Sequence, residues 1–474
     1  MTNGRAVAAA FSAALVLAAC GGGDDGGTAG GDGGSGNGGG SAIDPTECGL
    51  EAFAAADKPV EITFWHQQAD ENEAALVELT DEFNASQDDV RVRPVLFPDY
   101  EDLFTKYRAA LSGGDLPDLV VLEETTVQAM VDSGSSVPMQ ACVDADNLDL
   151  GDYLPRAIAY YTTEDVLRAM PWNVSNPILW YDRALFRAAG LDPDDPPETL
   201  DEVREYSQVI VDAGVAEHGI ALRAQDYYNE FWYAKGAQEY VNNGNGRDAR
   251  ATKAQLDTEF GRELWTWWDD MVESGLALDT GSATGNVDHL FSLANSESAM
   301  TIEASSALGP ALAVLSTGQF SHVEIGTAPL PGLEAGGGVP VGDGALWIVG
   351  NSSRAERGAA WQYVKYLTEP AQQAQLHIAV GYVPVRMSAV EDPGVQAKWA
   401  EQPAYRTAYD QLVNGPTDDA TSGSVIGDYQ GVRDAVTRSL EAMLTGRLTP
   451  EAALVQVQRE ADDAINEYNA RIGG

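Results

Sequence analysis

The segment from residue 60 to residue 123 alternates strand and helix patterns, which restricts the fold more than any other feature of the chain. "VEITFWH" has apolar side chains at every second position, as a half-buried strand does, and the helix pattern after it repeats Leu76, Leu79 and Phe83. "VRVRPVLF" and the apolar centre of "LPDLVVLEE" predict two further strands, with a helix between them that ends on glycines. Strands that alternate with helices predict a mainly parallel α/β sheet.

A similar alternation returns after a helix-rich middle section. "AMTIEASSAL", "EIGTAPLPG" and "GALWIVG" predict short strands, and "AERGAAWQYVKYLTEP" predicts an amphipathic helix that Pro370 ends. From Lys58 onward roughly 415 residues remain, which is enough for two or three domain-sized cores.

The amino-terminal segment carries a targeting signal. Its apolar run Ala6–Ala19 is about 14 residues long, which suits a signal peptide better than a membrane-spanning helix. Leu17-Ala18-Ala19-Cys20 resembles the bacterial lipobox, in which the cysteine is acylated and becomes the mature amino terminus. We therefore expect a lipoprotein signal peptide at 1–19, with lipidation at Cys20. The alternative is an ordinary cleaved signal peptide with an incidental cysteine.

Residues 21–41 are almost entirely Gly, Asp, Ser, Thr, Asn and Ala, so they have no large apolar side chain to bury. We expect residues 20–57 to form a lipid anchor and a flexible tether. This arrangement predicts a protein held by its lipid at the extracellular face of the cell membrane.

The chain is strongly acidic, with a formal net charge of −45. Removal of residues 1–19 takes away only Arg5 and gives −46. Such a charge repels nucleic acid and anionic lipid, so we expect no nucleic-acid partner. An acidic, well-solvated surface explains the composition better than a specific cationic partner.

Two cysteines, Cys48 and Cys142, remain once Cys20 is lipidated. In an oxidising exterior, two remaining cysteines favour a disulfide, which would connect the end of the tether to the folded domain. Two buried free thiols are the alternative.

The sequence contains no catalytic motif, such as GxSxG, GxxxxGK[ST], HExxH or CxxC. Its five histidines are scattered without the spacing of metal ligands. "DADNLD" lacks the glycine that a calcium-binding EF-hand loop requires at its sixth position. We expect neither a cofactor nor a metal, and no enzymatic activity.

Several segments, in order and from about residue 60 to the carboxyl terminus, resemble the family 1 extracellular solute-binding proteins of ABC importers. They are "ITFWHQQADENEAALVELTDEFNASQDDVRVRPV", "SGGDLPDLVVLEETTVQAMVDSG", "MPWNVSNPILWYDRALFRAAGLDPDDPPETLDEV", "VGDGALWIVG" and "VGYVPVR". The resemblance is closest to the glycerol-phosphate-binding branch and looser to the maltose- and trehalose-binding proteins.

This resemblance implies a two-lobed α/β fold of the periplasmic-binding-protein type, with several crossings of the chain between the lobes. It implies a ligand in the cleft, hinge closure around that ligand, and delivery to the ABC permease subunits by a monomer. We expect residues 58–167 and 299–345 to form the first lobe, and 168–298 and 346–474 to form the second.

The resemblance also implies ligand-binding positions. Those that match the glycerol-phosphate branch are Tyr100, Glu124, Ser175, Ser305 or Ser306, Gly342 with its neighbour Asp343, and Tyr382. The paired tryptophans of that branch align with Leu222 and Gln225, or with Tyr227 or Tyr228 if a gap intervenes. "DYYNEFWY" at 226–233 adds Trp232 as a candidate, beside Asp226, Asn229 and Glu230. A helix with its aromatics in the core is the alternative for this stretch.

The arginine that would hold a phosphate aligns near Val425, and only Arg386 and Arg433 lie nearby in the sequence. We therefore expect a neutral sugar or oligosaccharide, because an anion in an acidic cleft needs a guanidinium partner. The alternatives are glycerol phosphate or a glycerophosphodiester, with Arg386 in place of the missing arginine, a secreted carbohydrate-active hydrolase, or a binding module of a sensor or adhesin.

Overall fold

The computed structural model of the protein describes residues 43–283, 285–316 and 318–473. The predicted signal peptide, the lipidation site Cys20 and the glycine-rich stretch up to residue 42 lie outside the described residues. The strands are β1 (Val60–His66), β2 (Val90–Leu96), β3 (Leu119–Glu123), β4 (Ser136–Val137), β5 (Thr162–Thr163), β6 (Val166–Leu167), β7 (Met170–Ser175), β8 (Pro177–Asp182), β9 (His218–Leu222), β10 (Ala277–Asp279), β11 (Ser298–Ala304), β12 (Ile325–Pro329) and β13 (Gly342–Val349).

The helices are α1 (Leu50–Ala55), α2 (Asp70–Ser86), α3 (Tyr100–Gly113), α4 (Val127–Ser133), α5 (Met139–Asp146), α6 (Pro155–Tyr160), α7 (Arg183–Ala189), α8 (Leu200–Asp212), α9 (Asp226–Lys235), α10 (Asn242–Gly246), α11 (Glu259–Glu273), α12 (Asp288–Ala294), α13 (Leu308–Leu315), α14 (Arg354–Leu367), α15 (Pro370–Val380), α16 (Pro393–Glu401), α17 (Thr407–Asn414), α18 (Tyr429–Leu444) and α19 (Pro450–Ile472). Among them α10 is a left-handed turn, because Asn243, Gly244 and Asn245 have positive φ. In the described part of the chain, no helix has both the length and the apolar character needed to cross a membrane.

The first sheet has the order β2-β1-β3-β13-β4, and β7 also pairs with β13. Its β1, β2 and β3 are parallel, as the alternation of strands and helices predicts. The apolar residues Leu119–Leu122 of β3 are fully buried because helices cover this sheet. Strand β13 runs antiparallel to β3, β4 and β7. We call this sheet, with α1–α5, α14 and α15, the first lobe.

The second sheet has the order β10-β9-β11-β8-β12. Strand β9 is parallel to β10 and β11, whereas β8 is antiparallel to β11 and β12. Helices α8, α11, α12 and α17 pack on it, and α9, α18 and α19 pack beside them. We call this assembly the second lobe.

The strand pairing corrects the expected lobe boundaries. The expectation placed 299–345 in the first lobe, but β11 and β12 pair with β8 and β9 in the second sheet. It also placed 168–298 and 346–474 entirely in the second lobe, but β7, the second half of β13, α14 and α15 belong to the first. Local patterns identify a strand but carry no information about which sheet it joins, because pairing depends on distant partners.

Local signals explain the element ends. Helix α14 begins with a capping box, in which Ser353 accepts a hydrogen bond from the Glu356 backbone N–H and Glu356 accepts one from that of Ser353. It ends before Pro370, which is itself the first residue of α15. Proline both stops one helix and starts the next, since its missing N–H is not needed in a first turn.

A disulfide joins the start of the described chain to the first lobe. The sulfurs of Cys48 and Cys142 are 2.01 Å apart, and the bridge connects the 3-10 turn Pro45–Cys48 to α5. On the same turn Glu47 accepts hydrogen bonds from Arg354 and Arg357 of α14. The segment before β1 is therefore fixed to the first lobe by one covalent and several ionic contacts.

Replacing both Cys48 and Cys142 by serine should lower the free energy of unfolding by about 2–4 kcal/mol, because the bridge closes a loop of 94 residues in the unfolded chain. Urea unfolding of the oxidised protein and of the double variant measures the difference. The reduced wild-type protein is the control and should behave as the variant does. Equal midpoints for all three samples would contradict the prediction.

Candidate functional site

A cavity of about 920 Å³ lies between the two lobes. The first lobe contributes Tyr100 and Phe104 of α3 and Glu123 at the end of β3. The second contributes residues at the ends of β9 and β11, at the start of α9, and on α18 and α19. Carboxyl ends of strands in open α/β sheets are the usual place for a ligand, so this cleft is the candidate site.

Two tyrosine hydroxyls in the first lobe are held by amides. The Tyr100 hydroxyl accepts a hydrogen bond from Asn173 Nδ2 at 2.9 Å. The Tyr382 hydroxyl donates to Gln68 Oε1 at 2.9 Å and accepts from Asn72 Nδ2 at 3.3 Å. These bonds fix the positions of both rings, which is how a preformed binding surface is built.

The start of β13 approaches α9 of the second lobe. A Cβ atom on Gly342 would lie 3.1 Å from the Tyr227 hydroxyl and 3.3 Å from the Phe231 ring, so glycine permits this close contact. The next residue, Asp343, has a φ of 67° and lines the cavity. The left-handed backbone directs a carboxylate into the cleft at the position where the chain enters the first sheet.

Burial raises the pKa of Asp343 to about 6. The hydroxyls of Ser175 and Ser306 oppose this effect, while the negative charges of Glu123 and Glu303 add to it. The predicted residues Ser175, Ser306, Gly342, Asp343 and Tyr227 therefore meet at one side of the cleft.

Arg433 of α18 is surrounded by four carboxylates. Its Nη1 lies 3.0 Å from Glu123 Oε1, its Nη2 lies 2.9 Å from Glu124 Oε1 and 2.7 Å from Glu230 Oε1, and its Nε lies 2.9 Å from Asp226 Oδ2. Glu123 is the last residue of β3 in the first lobe and Glu124 comes directly after it, whereas the other two acids lie on α9 in the second lobe. We call Arg433 with these four acids the arginine node.

The charges of the arginine node are unbalanced, since one guanidinium faces four acids. Burial lowers the pKa of Arg433, but the four carboxylates outweigh it and hold the pKa well above its usual value. Burial, together with the neighbouring Glu123, raises the pKa of Glu124 well above its usual range despite the opposing effect of Arg433. Burial also raises the pKa values of Asp226 and Glu230.

A second ionic group lies at the ends of β9 and β11. Arg223 Nη2 is 3.6 Å from Glu303 Oε2, and His289 Nε2 is 2.6 Å from the same oxygen. Burial would raise the pKa of Glu303, but Arg223 and the His289 hydrogen bond outweigh it and lower the pKa to about 2. The guanidiniums of buried Arg433 and half-buried Arg223 in the cavity wall are therefore both already engaged by carboxylates.

The lobes also meet through Asp132 of α4. Its carboxylate accepts hydrogen bonds from both terminal nitrogens of Arg250, at 2.6 and 3.0 Å, and from the Tyr468 hydroxyl of α19 at 2.9 Å. Asp132 and Tyr468 both line the cavity. This contact, through Tyr468 of α19, is a second connection between the lobes, in addition to the arginine node.

Several buried polar atoms around the cleft have no hydrogen-bond partner among the described residues. They are Glu124 Oε2, Ser305 Oγ, Asn173 Oδ1 and Gln68 Nε2. An unpaired buried polar group costs about 1–3 kcal/mol, so a ligand that supplies partners gains that energy. No group of three or more His, Cys, Asp or Glu side chains that could hold a metal ion occurs among the described residues.

Three expected site residues lie elsewhere. Trp232 donates its indole N–H to Pro331 O and packs against Trp267 and Trp268, so it belongs to the core of the second lobe. Tyr228 points the same way and donates to Ile302 O. On α9, residues one position apart face different directions, and among the aromatic residues of this helix only Tyr227 lines the cavity.

Arg386 also lies outside the cavity wall. Its Nε is 2.8 Å from Asp152 Oδ2, and its guanidinium stacks over the Tyr153 ring. The expectation that a guanidinium is missing from the cleft is corrected as well. Val425 is buried, and its backbone N–H donates a hydrogen bond to Asn245 O. Arg433, which comes later in the sequence on α18, is part of the cavity wall.

The sequence reasoning missed Arg223 and Glu303. Both residues lie at the carboxyl ends of strands, β9 and β11, and this is where open α/β sheets bind ligands. This signal becomes usable only when the two strands are known to be parallel neighbours.

The family model and the curated relatives that this chain matches are both solute-binding proteins. Residues 78–406 match the family described as bacterial extracellular solute-binding protein. The chain is 28% identical over 425 residues to the sn-glycerol-3-phosphate-binding periplasmic protein UgpB of Rhizobium meliloti (strain 1021), which covers 88% of this chain and 95% of the relative.

Solved structures share the fold. UgpB from Mycobacterium tuberculosis in complex with glycerophosphocholine has a TM-score of 0.71 at 22% identity and covers 86% of this chain and 99% of that chain. The sugar-binding protein MalE from Xanthomonas citri has a TM-score of 0.72 at 21% identity and covers 87% of this chain and 99% of that chain. The two-lobed binding-protein fold that the sequence resemblance implies is confirmed.

Asp343 should make stability depend on pH. The unfolded chain releases this proton near pH 4, whereas the folded chain keeps it up to about 6, so this group's contribution to stability falls as pH rises through that window. Asp343→Asn should therefore raise the free energy of unfolding at pH 7 by about 2 kcal/mol relative to its effect at pH 4. Asparagine also tolerates the positive φ.

Urea unfolding of wild type and Asp343→Asn at pH 4, 5, 6 and 7 measures this difference. Glu460→Gln, on α19 and outside the cavity, is the control and should run parallel to the wild type. If the Asp343→Asn curve also ran parallel to the wild type over this range, the raised pKa would be refuted.

Proposed function

This chain belongs to the family of bacterial extracellular solute-binding proteins, and we propose that it captures a sugar or oligosaccharide in the interlobe cleft for delivery to an ABC permease. The observation that carries the ligand class is a set of unpaired buried polar atoms on residues next to the cavity wall. Glu124 Oε2 belongs to the residue after Glu123, Ser305 Oγ to the residue before Ser306, and Asn173 Oδ1 to the amide that bonds Tyr100. Carboxylate, amide and hydroxyl groups in this arrangement match the several hydroxyls of a sugar.

Aromatic rings supply the second requirement of a sugar site. Tyr100, Phe104 and Tyr227 line the cavity, and their faces can cover the C–H surfaces of a pyranose. A volume of about 920 Å³ accommodates more than one sugar unit.

Glycerol phosphate is the second candidate, favoured by Arg433 and Arg223 in the cavity wall and by the name of the Rhizobium relative. The charges oppose it. A phosphate would have to compete for Arg433 with four carboxylates and for Arg223 with Glu303. A polyol without a negative charge does not meet this repulsion, so the sugar is the better-supported ligand.

The attachment of the protein follows from its amino-terminal sequence. We propose that Cys20 carries the lipid, that the glycine-rich stretch 21–41 is the tether, and that the protein acts as a monomer at the outer face of the membrane. A tether raises the local concentration of a binding protein at its permease. The disulfide at Cys48 would connect this tether to the first lobe.

Isothermal titration with a panel of mono- and disaccharides should find a sugar that binds, with affinity reduced about 10- to 100-fold in Glu124→Ala and Tyr382→Ala. Glu124 offers an unpaired carboxylate oxygen, and Tyr382 lies in the amide-held pair of rings. The control Glu460→Gln should bind as the wild type does. Micromolar binding of glycerol phosphate with no response to any sugar would overturn the sugar assignment.

Replacing Cys20 by alanine should release the protein from the membrane fraction or block its processing, because the proposed lipid attaches through this thiol. Fractionation of cells and mass spectrometry of the amino terminus measure both effects. The variant in which Ser41 is replaced by alanine is the control and should stay membrane-bound. Unchanged membrane association and processing of Cys20→Ala would refute the anchor.

A further inference from the structure

Most of the acids in the cavity wall are already paired with a base. Ion pairs join Glu123 and Asp226 to Arg433, Glu303 to Arg223, Asp132 to Arg250, and Asp428 to Arg471. Of the other lining acids, Glu101 and Asp434 are exposed to solvent, and Asp99 caps α3. These carboxylates have partners or water, so a ligand gains little by contacting them.

Asp343 differs from these acids. It lines the cavity, is half-buried, and forms no ion pair within the described part of the chain. Its Oδ2 is buried without a hydrogen-bond partner. An unpaired carboxylate in a partly dry wall is costly. It gains most from a ligand that donates hydrogen bonds to it, because such bonds to a charged acceptor are roughly twice as strong as those between neutral groups.

The backbone fixes the place of Asp343 in the cavity wall. Its φ of 67° lies in the left-handed region. On one side, a Cβ atom on Gly342 would lie 3.1 Å from the Tyr227 hydroxyl of the second lobe; on the other, a Cβ atom on Gly344 would lie 2.5 Å from the Tyr100 hydroxyl of the first. The residues that flank Asp343 are therefore packed against tyrosines of both lobes, and both tyrosines line the cavity.

We propose that Asp343 is the specificity-determining acid of the cleft and that its carboxylate accepts hydrogen bonds from hydroxyl groups of the ligand. This inference rests on the proposed function and specifies how a sugar is recognised in the same cavity. A carboxylate accepts hydrogen bonds and donates none, so Asp343 selects a ligand with a hydroxyl donor at this place. An analogue without that hydroxyl leaves the carboxylate unpaired and is rejected.

The surroundings of Asp343 contain acids and hydroxyls. Those whose charges act on it, or on which its charge acts, are Glu123, Glu124 and Glu303, and the hydroxyls of Tyr100, Tyr161, Tyr227 and Tyr382. None of these groups carries a positive charge. Burial raises the pKa of Asp343 to about 6, while the Ser175 and Ser306 hydroxyls oppose this effect.

The contact with ligand hydroxyls makes binding depend on pH. Hydroxyl donors stabilise the ionised carboxylate, so the bound ligand lowers the pKa of Asp343, and binding releases protons near pH 6. Because protons and the ligand then compete, the affinity falls as pH drops below about 6. A ligand that does not touch Asp343 causes no such dependence through this group.

Isothermal titration of the wild type and Asp343→Asn with glucose, galactose, mannose, maltose, trehalose and cellobiose tests the contact. Asparagine tolerates the left-handed backbone and keeps the side-chain size, but it has no charge. The sugar of this panel that binds most tightly should bind the variant about tenfold or more weakly. Glu460→Gln is the control and should keep the wild-type affinity. Because Asp343→Asn is expected to gain stability at pH 7, its loss of affinity cannot come from a weakened fold.

Two further measurements localise the effect. Among the monodeoxy analogues of that sugar, one should bind the wild type about tenfold more weakly and lose almost nothing further in Asp343→Asn, because the hydroxyl and the carboxylate form one contact. From pH 7 to pH 5 the wild-type affinity should fall about five- to tenfold, and the profile of Asp343→Asn should be flatter by that factor. If Asp343→Asn does not fold, the wild-type profile and proton release at pH 6, measured in buffers with different ionisation enthalpies, decide the question.

The outcomes separate the two proposals. A sugar that binds Asp343→Asn as tightly as the wild type, with the same pH profile, would overturn the role of Asp343 and leave the sugar-binding function standing. A weaker variant that loses affinity for every deoxy analogue alike, without a change in the pH profile, would show a structural role and overturn the ligand contact. Binding of glycerol phosphate alone, or of none of the compounds, would overturn both proposals.

Discussion

The burial of Arg433 among four carboxylates is the constraint on which the site depends. A guanidinium removed from water is stable only if charged partners surround it, and here the partners come from the end of β3 and from α9. Helix α18, which carries the arginine, must therefore lie where both lobes reach it. The same contacts orient Glu124, the acid whose second oxygen is unpaired. One ionic cluster thus sets the relative position of three elements.

The chain passes between the lobes at places that also build the site. Strand β7 ends at Ser175 in the first sheet, and β8 begins at Pro177 in the second. Asn176 between them is held on both sides, because its Nδ2 donates to Ala408 O and its Oδ1 accepts from Gln411 Nε2 at 2.6 Å. The second passage ends at Gly342 and Asp343. Asp343 therefore belongs both to a connection between the lobes and to the cavity wall.

Sequence patterns predicted the elements better than their assembly. The alternation of strands and helices from Val60 to Glu123 predicted a parallel arrangement that the structure has, because period and length are local properties. The assignment of β7, β11, β12 and the second half of β13 to lobes was wrong, since a strand's partners are distant in the sequence.

The sequence likewise predicted some residues of the candidate site and not others. The motif resemblance indicated Tyr100 and Asp343, which line the cavity, and Glu124, which is buried next to the lining residue Glu123. It could not indicate that Arg433 takes part, because an arginine on a helix is ordinary in sequence and its partners come from two lobes. Trp232 was wrongly placed in the site because an aromatic residue in a polar stretch is typical of a sugar-binding surface. The geometry of the helix instead directs its side chain into the core, where it packs against Trp268.

Strand β13 has a consequence for the synthesis of the protein. It lies inside the first sheet, between β3 and β4, and also pairs with β7, yet it begins at Gly342 while β3 ends at Glu123. At about 5–20 residues per second, a ribosome needs roughly 10–40 s to add the residues between them. Throughout that interval the apolar β3 has a free edge, which is a template for pairing with another chain. A chain that stops before residue 342 has no complete first lobe, so the sheet can close only after most of the protein has been made.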